Sequence, residues 1–342
     1  MRRTILTLLT LLAAGAAFAA DPYFLDRNGV LWTASSGPGG LLLTGTRDGE
    51  QVVQSTVPFD LGLAGANDSQ LQVAADELTG KVVVVWQRNW SDQVSEIMAA
   101  VWHAGSWERV VHLTPDPGTH PRNPTIQLSE SDLSVPDPAA PTDPTKATLV
   151  QDSFLHVLWW DGTTQQHGSY ALLRLTAAPD DQSALLTQNL DSYADIGLAC
   201  SDPPPPEVLE HPMFANQVSH DRVLMFFGSE RNCFFQLVEV RFVLDPDSST
   251  SSGGMVATTQ RRRQMPIFGV TKTFPMTQDV SMENARLVLG ASLSPVVYRV
   301  VNGNRLEYVI ATDNGWSSKR TLAVANGLTL DQAIPLVENL AR

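Results

Sequence analysis

The feature of this sequence that most constrains its fold is a recurring block of short apolar strands joined by tight turns. In its clearest copy, a strand at residues 71–75 is followed by a turn and by a β-branched strand at 81–86. Two more strands follow at 96–102 and 107–113, joined by a turn that contains glycine. Runs of this length and pattern, separated by hairpin-length loops, indicate antiparallel β-structure. The block therefore predicts a four-stranded sheet.

Related blocks occur at several places along the chain. They begin near residues 26, 71, 123, 211 and 286. Three apolar runs end in a tryptophan and follow an acidic residue that we interpret as part of a turn. The tryptophans are Trp32, Trp86 and Trp159, and the acidic residues are Asp26, Asp76 and Asp152, in the same order. Repeats of roughly 40 to 50 residues with four strands each are typical of β-propeller blades. The sequence therefore predicts an all-β fold, a β-propeller of about five four-stranded blades spanning residues 20–327.

Two alternatives to this architecture stay open from the sequence. A large β-sandwich would contain the same strands and turns without the recurring order of the block. A sixth blade is an option if residues 265–276 form a degenerate blade and not an inner strand. An inserted loop rich in proline and aspartate is predicted at 129–146, within the third copy. Residues 328–342 form a predicted tail, in which the spacing of Leu330, Ile334, Val337 and Leu340 indicates a short helix.

The first nineteen residues have the pattern of an export signal. Arg2 and Arg3 precede an apolar segment at 5–12, and a small-x-small cleavage pattern follows at 17–19. We expect residues 1–19 to be a signal peptide and the mature protein to be periplasmic or secreted. Beyond this segment, no apolar run is long enough to predict a membrane span.

The chain has two cysteines, Cys200 and Cys233. Disulfides persist in oxidising compartments, so the export signal favours a disulfide between them that closes the loop containing residues 203–206. A metal site would need further ligands, and no local signature supports a thiol nucleophile.

The composition argues against several classes of ligand. The chain has 36 acidic and 23 basic residues, which does not favour the clustered positive charge that nucleic-acid binding requires. Its seven histidines show no helical zinc spacing, and neither a phosphate-binding loop nor a dinucleotide fingerprint is present. We therefore predict no metal, no cofactor and no nucleic-acid partner.

Residues 81–86 and 105–109 resemble the blades of sialidase-like (BNR/Asp-box type) β-propellers of exported bacterial proteins. The segment 311–316 keeps the aspartate and glycine of the Asp-box in step, with its tryptophan displaced. The resemblance implies a functional face made of the loops that enter the inner strands and those that join second to third strands. On that face it selects five ligand-binding candidates, Arg88, Arg122, Asp161, Glu230 and Arg231. Among them, Arg122 is the nearest match to the sialidase-type arginine at the start of an inner strand.

These observations predict an exported propeller that acts as a non-catalytic binding or scaffolding module for a protein or a glycan. A divergent sialidase-like glycoside hydrolase or lyase is the alternative, since arginines occupy loop positions where such an enzyme would hold a carboxylate. A third hypothesis is that the protein is a structural repeat domain of an envelope assembly.

Overall fold

The computed structural model describes residues 23–37, 40–58, 67–91, 94–114, 120–135, 137, 139–161, 167–189, 214–229, 234–245, 263–275, 286–289, 294–312, 315–324, 327–328, 333 and 336–337. Within these residues, twenty-one strands form five antiparallel sheets, here called blades 1 to 5. Blade 1 contains β1 (Tyr23–Leu25), β2 (Val30–Gly37), β3 (Gly40–Arg47) and β4 (Glu50–Thr56). Blade 2 contains β5 (Asn67–Ala75), β6 (Val82–Ser91), β7 (Val94–His103) and β8 (Ser106–His112).

The remaining blades follow in chain order. Blade 3 contains β9 (Arg122–Val135), β10 (Thr148–Asp161), β11 (His167–Arg174) and β12 (Leu185–Asn189). Blade 4 contains β13 (Phe214–Ser219), β14 (Arg222–Ser229), β15 (Phe234–Leu244) and β16 (Gln264–Pro275). Blade 5 contains β17 (Arg286–Leu289), β18 (Pro295–Val301), β19 (Arg305–Thr312), β20 (Gly315–Trp316) and β21 (Arg320–Ala323). Two short 3-10 turns lie at Pro144–Lys146 and Gln182–Ala184.

The five sheets are arranged as the blades of a β-propeller. Each is built from a consecutive stretch of chain, with its strands paired in sequence order. The first strands contact one another in succession, β1 with β5, β5 with β9, β9 with β13, and β13 with β17. In blade 5 the outer position is shared, because β20 and β21 both pair with β19. This confirms the predicted all-β propeller, with five blades of four strand positions each among the described residues.

The core lies in the seams between neighbouring blades. Strand β6 is buried on both faces, with Val82, Val84 and Trp86 packed toward blade 1. Val83 and Val85 point the other way and pack against blade 3. Successive side chains of a strand alternate between the two faces of its sheet, so a strand between two seams needs apolar residues throughout. This explains the continuous β-branched run at the centre of the repeated block.

The predicted equivalence of three tryptophans holds for two of them. Trp86 and Trp159 both end an apolar run on the face directed toward the preceding blade. Trp32 is the third residue of β2 and faces the following blade, where its ring lies 5.4 Å from that of Trp102. A strand has a side-chain period of two, so an offset by an odd number of residues places a side chain on the opposite face.

The inserted loop of blade 3 is shorter than predicted, and the prediction of a loop over 129–146 was wrong at its start. Strand β9 continues to Val135, and its last residues pair with the beginning of β10, from Thr148 onward. Asp152 therefore lies inside a strand and not in a turn. Residues 265–276 likewise form no sixth blade and no inner strand, because nearly all of them belong to β16, the outer strand of blade 4.

The tail contacts blade 5 where it is described. Ala333 and Val337 have helical backbone conformations and are buried against Tyr298 and Tyr308. Most of the predicted tail helix lies outside the described residues. The structure also contains no helix, within the described ranges, that is long and apolar enough to cross a membrane.

Polar contacts join blade 2 to blade 3 on the side of the propeller where first strands lead into second strands. This side is called the opposite face below, because it lies opposite the face where first strands begin. Ser153 donates a hydrogen bond to Asp76 at 2.6 Å across the seam. The Lys81 ammonium donates to the Leu175 carbonyl at 2.7 Å and pairs with Glu108 at 2.8 Å. Arg109, on β8, donates to the carbonyls of Pro179 and Ala178 in blade 3. These contacts fix the relative position of the two blades that carry the candidate residues.

Candidate functional site

The described candidate residues lie on one side of the propeller, here called the loop-rich face. On this side the first strands begin and the second strands lead into third strands. Arg88 is near the end of β6, Arg122 begins β9, and Asp161 ends β10. Glu230 and Arg231 lie outside the described residues, as do Cys200 and Cys233.

Arg88 is a buried cation held by a carboxylate. Its side chain is 2% exposed, and its Nε and Nη2 atoms donate to the two oxygens of Asp68 at 2.9 and 3.1 Å. Asp68 lies directly opposite Arg88 on the neighbouring strand β5. The guanidinium carbon also lies 5.6 Å from the ring centroid of Trp86 and 6.0 Å from that of Trp90. These two rings share its face of β6, because residues two apart on a strand point the same way. The bidentate pair and the aromatic rings together offset part of the hydration that the charge has lost.

Arg122 and Asp161 face different neighbours. Arg122 is paired with Trp160, which packs in the cluster formed with blade 4, so Arg122 is directed toward that seam. Asp161 follows Trp160 and therefore faces the opposite way, toward blade 2, where it is buried. The Ser169 hydroxyl donates to its Oδ2 atom at 3.5 Å.

The structure therefore distributes the three described candidates among three seams. Arg88 lies between blades 1 and 2, Asp161 faces the seam between blades 2 and 3, and Arg122 faces the seam between blades 3 and 4. All three are at the loop-rich face, as the resemblance implied, but their side chains are directed to separate seams.

A row of amide side chains was missed by the sequence analysis. Gln87 donates through Nε2 to the Oδ1 atom of Asn89 at 2.6 Å. Asn89 in turn donates to the Ser69 hydroxyl at 2.9 Å, and Gln87 accepts from the backbone N–H of Asn123 at 3.2 Å. The row connects blade 2 to the first strand of blade 3. Its signal in the sequence is the alternation of the amides Gln87 and Asn89 with Arg88 and Trp90, directly after the apolar run stops at Trp86.

The backbone beside this row adopts uncommon conformations. Gln70, His120 and Asn123 have φ values of 51°, 56° and 52°, a left-handed region that non-glycine residues seldom occupy. Register shifts interrupt the pairing of β5 with β6 near Gln70, and of β9 with β10 near Asn123. The Ser95 hydroxyl donates to the Pro121 carbonyl at 2.6 Å and lies 3.3 Å from Nδ1 of His120. Such bulges and strained residues concentrate at functional sites because they redirect side chains away from regular pairing.

His156 is a buried titratable residue of blade 3 that lies away from this face. Its Nε2 atom lies 2.7 Å from the Ser129 hydroxyl, and its Nδ1 atom lies 2.9 Å from the Tyr170 hydroxyl. Burial lowers the pKa of the imidazole to about 3, because the charged form loses its hydration. The neutral ring has one donor and one acceptor for these two partners. With no exposure to solvent, His156 supports the core and is not placed to act on a ligand.

No group of three or more histidine, cysteine, aspartate or glutamate residues could hold a metal ion within the described parts of the chain. Asp245, directly after β15, pairs with Arg263 at 2.7 Å.

Two solved structures are similar to this chain in fold. A subtype N11 neuraminidase-like protein of A/flat-faced bat/Peru/033/2010 (H18N11) is 8% identical over 88% of this chain and 72% of its own, with a TM-score of 0.36. Drosophila Semaphorin 1b, extracellular domains 1-2, is 13% identical over 82% of this chain and 61% of its own, with a TM-score of 0.30. No family model matches the chain, and no curated protein sequence matches it. These are likenesses in fold alone, and no residue role is transferred from them.

Proposed function

We propose that this protein is a non-catalytic binding module that meets a protein or a glycan at its loop-rich face. The observation that supports it is the pairing of Arg88 with Asp68, which uses the guanidinium of the most buried candidate for a contact within the protein. A bidentate arginine already occupied by a carboxylate is poorly suited to clamp the carboxylate of a substrate.

A glycoside hydrolase makes different demands. It needs two carboxyl groups about 5 to 9.5 Å apart on either side of one sugar bond, with cations converging on any acidic substituent. Here Arg88, Arg122 and Asp161 are directed to three separate seams. This separation favours a binding role over the alternative of a divergent hydrolase or lyase.

Trp90 is the residue on which the proposed binding surface is centred. It is half-buried, lies near the end of β6, and has the Arg88 guanidinium on its ring at 6.0 Å. The amide row formed by Gln87 and Asn89 lies on the other face of the same strand. Aromatic rings combined with amide donors and acceptors are common in recognition surfaces, because the ring supplies contact area and the amides supply direction.

Replacing Trp90 with alanine is expected to weaken ligand binding about tenfold or more, since buried aromatic anchors carry much of an interface's binding energy. The measurement is binding of the purified protein to a glycan array and to candidate envelope proteins, followed by titration of each hit. Trp107→Ala is the matched control, because Trp107 lies in the same blade at the opposite face. Equal losses in the two variants at equal thermal stability would contradict the assignment of Trp90.

Catalysis is tested separately with a panel of fluorogenic glycosides. We expect no turnover. Hydrolysis that disappears in Arg122→Ala would overturn the proposed non-catalytic role and establish the hydrolase alternative.

We further propose that the protein is exported, with residues 1–19 removed, and that Cys200 and Cys233 form a disulfide. Expressed in a Gram-negative host, the chain should be found in the periplasmic fraction with its N-terminus near residue 20. Its cysteines should take up alkylating reagent only after reduction. Replacing Ala19 with tryptophan should block cleavage and leave the unprocessed precursor. If the unaltered protein is found in the cytoplasm at full length, export is contradicted.

A further inference from the structure

Blade 5 carries an excess of positive charge around one buried carboxylate. Glu307, on β19, is 8% exposed and accepts from Arg299 Nε and Nη2 at 2.9 and 2.8 Å. Arg305 approaches its other oxygen at 3.2 Å, and Lys319 lies 3.9 Å away. Three cations therefore surround a single anion. Despite the cost of burial, these cations hold the pKa of Glu307 below its usual value, with Arg299 the strongest contributor.

This arrangement contrasts with the rest of the chain. The whole sequence has 36 acidic and 23 basic residues, yet the stretch from Arg286 to Ala323 has five basic and two acidic ones. Arg299 satisfies most of the charge of Glu307, while Arg305 and Lys319 are 51% and 47% exposed. Glu307 therefore leaves much of the charge of Arg305 and Lys319 unneutralised, and it competes with any other anion for them.

The outer strand beside these cations has one edge that pairs with none of the described strands. Strand β21 pairs only with β19 among the described strands, and all four of its side chains are exposed. Arg320 begins this strand directly after Lys319, and Leu322 is an exposed apolar residue on it. An extended peptide can add to such an edge through main-chain hydrogen bonds, with its side chains conferring specificity.

We propose that the surface made of Arg305, Lys319 and the edge of β21 docks an extended acidic segment of a partner protein. Carboxylates at alternate positions of that segment pair with Arg305 and Lys319, which lie on the Glu307 face of blade 5, and its backbone continues the blade as an added strand. The charge of the patch selects an anionic partner, and the strand edge selects an extended peptide over a polysaccharide. Lysine and arginine also serve on edge strands to discourage aggregation, and that role alone predicts no binding of an acidic peptide. The surface is separate from Trp90 and extends the proposed binding function to a second site.

The test uses a fluorescein-labelled peptide in which glutamate alternates with threonine, titrated by fluorescence anisotropy against the full mature protein. Binding should weaken as salt approaches about 0.15 M, because exposed charges are then screened beyond roughly 8 Å. Arg305→Gln combined with Lys319→Gln should weaken binding about fivefold, as expected for two exposed ion pairs. That variant keeps the balanced pair of Arg299 and Glu307, so its fold should be intact.

Two further variants distinguish recognition from a structural role. Glu307→Gln removes the competing carboxylate and should strengthen peptide binding, whereas a merely structural glutamate would leave binding unchanged or weaker. Arg27→Gln is the matched control, since Arg27 is an exposed arginine in a one-to-one pair with Glu77. Trp90→Ala should not affect the peptide, which separates failure at this surface from failure at the loop-rich face.

The probes also identify the class of partner. A peptide methylated on its backbone nitrogens should bind much more weakly, because it cannot form the added strand. Equal binding of the methylated peptide would overturn strand addition. Binding of a sulfated oligosaccharide without binding of the peptide would overturn the proposal of a protein partner.

Discussion

Replacing Asp68 with alanine is expected to lower the free energy of unfolding by about 3 to 5 kcal/mol, because it leaves the buried Arg88 guanidinium without its carboxylate. Arg88 is 2% exposed and Asp68 is 11% exposed, so water cannot take over the lost contact without opening the seam between blades 1 and 2. The Trp86 and Trp90 rings provide only part of the compensation, since a cation over an aromatic ring contributes about 0.5 to 2 kcal/mol. The measurement is equilibrium unfolding in urea.

Two comparisons make this prediction specific. Glu77→Ala removes an exposed partner of Arg27 and should cost no more than about 1 kcal/mol. Adding Arg88→Met to Asp68→Ala should restore much of the lost stability, because the unpaired charge is then absent. If Asp68→Ala costs no more than Glu77→Ala, the Arg88 charge is not sealed in the seam, and the main argument against a substrate-binding Arg88 fails with it.

The sequence allowed the blades to be predicted because their seams impose a pattern on it. Val82 to Trp86 is apolar at every position since both faces of β6 are buried, and the turns that bound it contain glycine or aspartate. Such local signals do not depend on knowing which strand pairs with which. They therefore predicted five sheets correctly while the order of packing was unknown.

Features that depend on register could not be predicted in the same way. The pair formed by Arg88 and Asp68 lies beyond a register shift between Ser69 and Gln72, so counting back along the two strands from their turn does not predict that these residues are opposed. The extension of β9 to Val135 was hidden because serine, glutamate and aspartate also fit a loop. These residues become a strand only through pairing with the start of β10.

The candidate residues show the same limit in functional terms. The resemblance placed Arg88, Arg122 and Asp161 at one face of the disc, and the structure has them there. Which seam each one faces depends on whether its position in the strand is odd or even relative to the core residues. Trp160 is buried against blade 4, and this fixes Arg122 on one side of blade 3 and Asp161 on the other. A propeller can thus bring loops together at a face while its strands direct adjacent side chains apart.

Burial of neutral His156 is expected to make the protein lose stability as the pH falls below about 6.5. The folded-state pKa is about 3, below the ordinary value of 6.5, so the unfolded chain binds the proton first. Stability from this residue is complete above pH 6.5 and decreases until about pH 3, with a slope of about 1.4 kcal/mol per pH unit. By about pH 3, the total loss of unfolding free energy due to His156 is on the order of 5 kcal/mol.

Between pH 6 and 5, the slope of the unfolding free energy against pH reports the effect of His156 separately from that of the carboxylates. Glu108, Asp181, Glu239 and Glu307 all have lowered pKa values, so they stay ionised in this interval and their effect on stability appears at lower pH. His156→Gln should therefore reduce the slope strongly, although the variant also loses stability at neutral pH. His112→Gln is the control for the same replacement at a largely exposed histidine. The same slope in His156→Gln as in the unaltered protein would mean that the histidine is not sealed between Ser129 and Tyr170, and that water reaches the seam between blades 3 and 4.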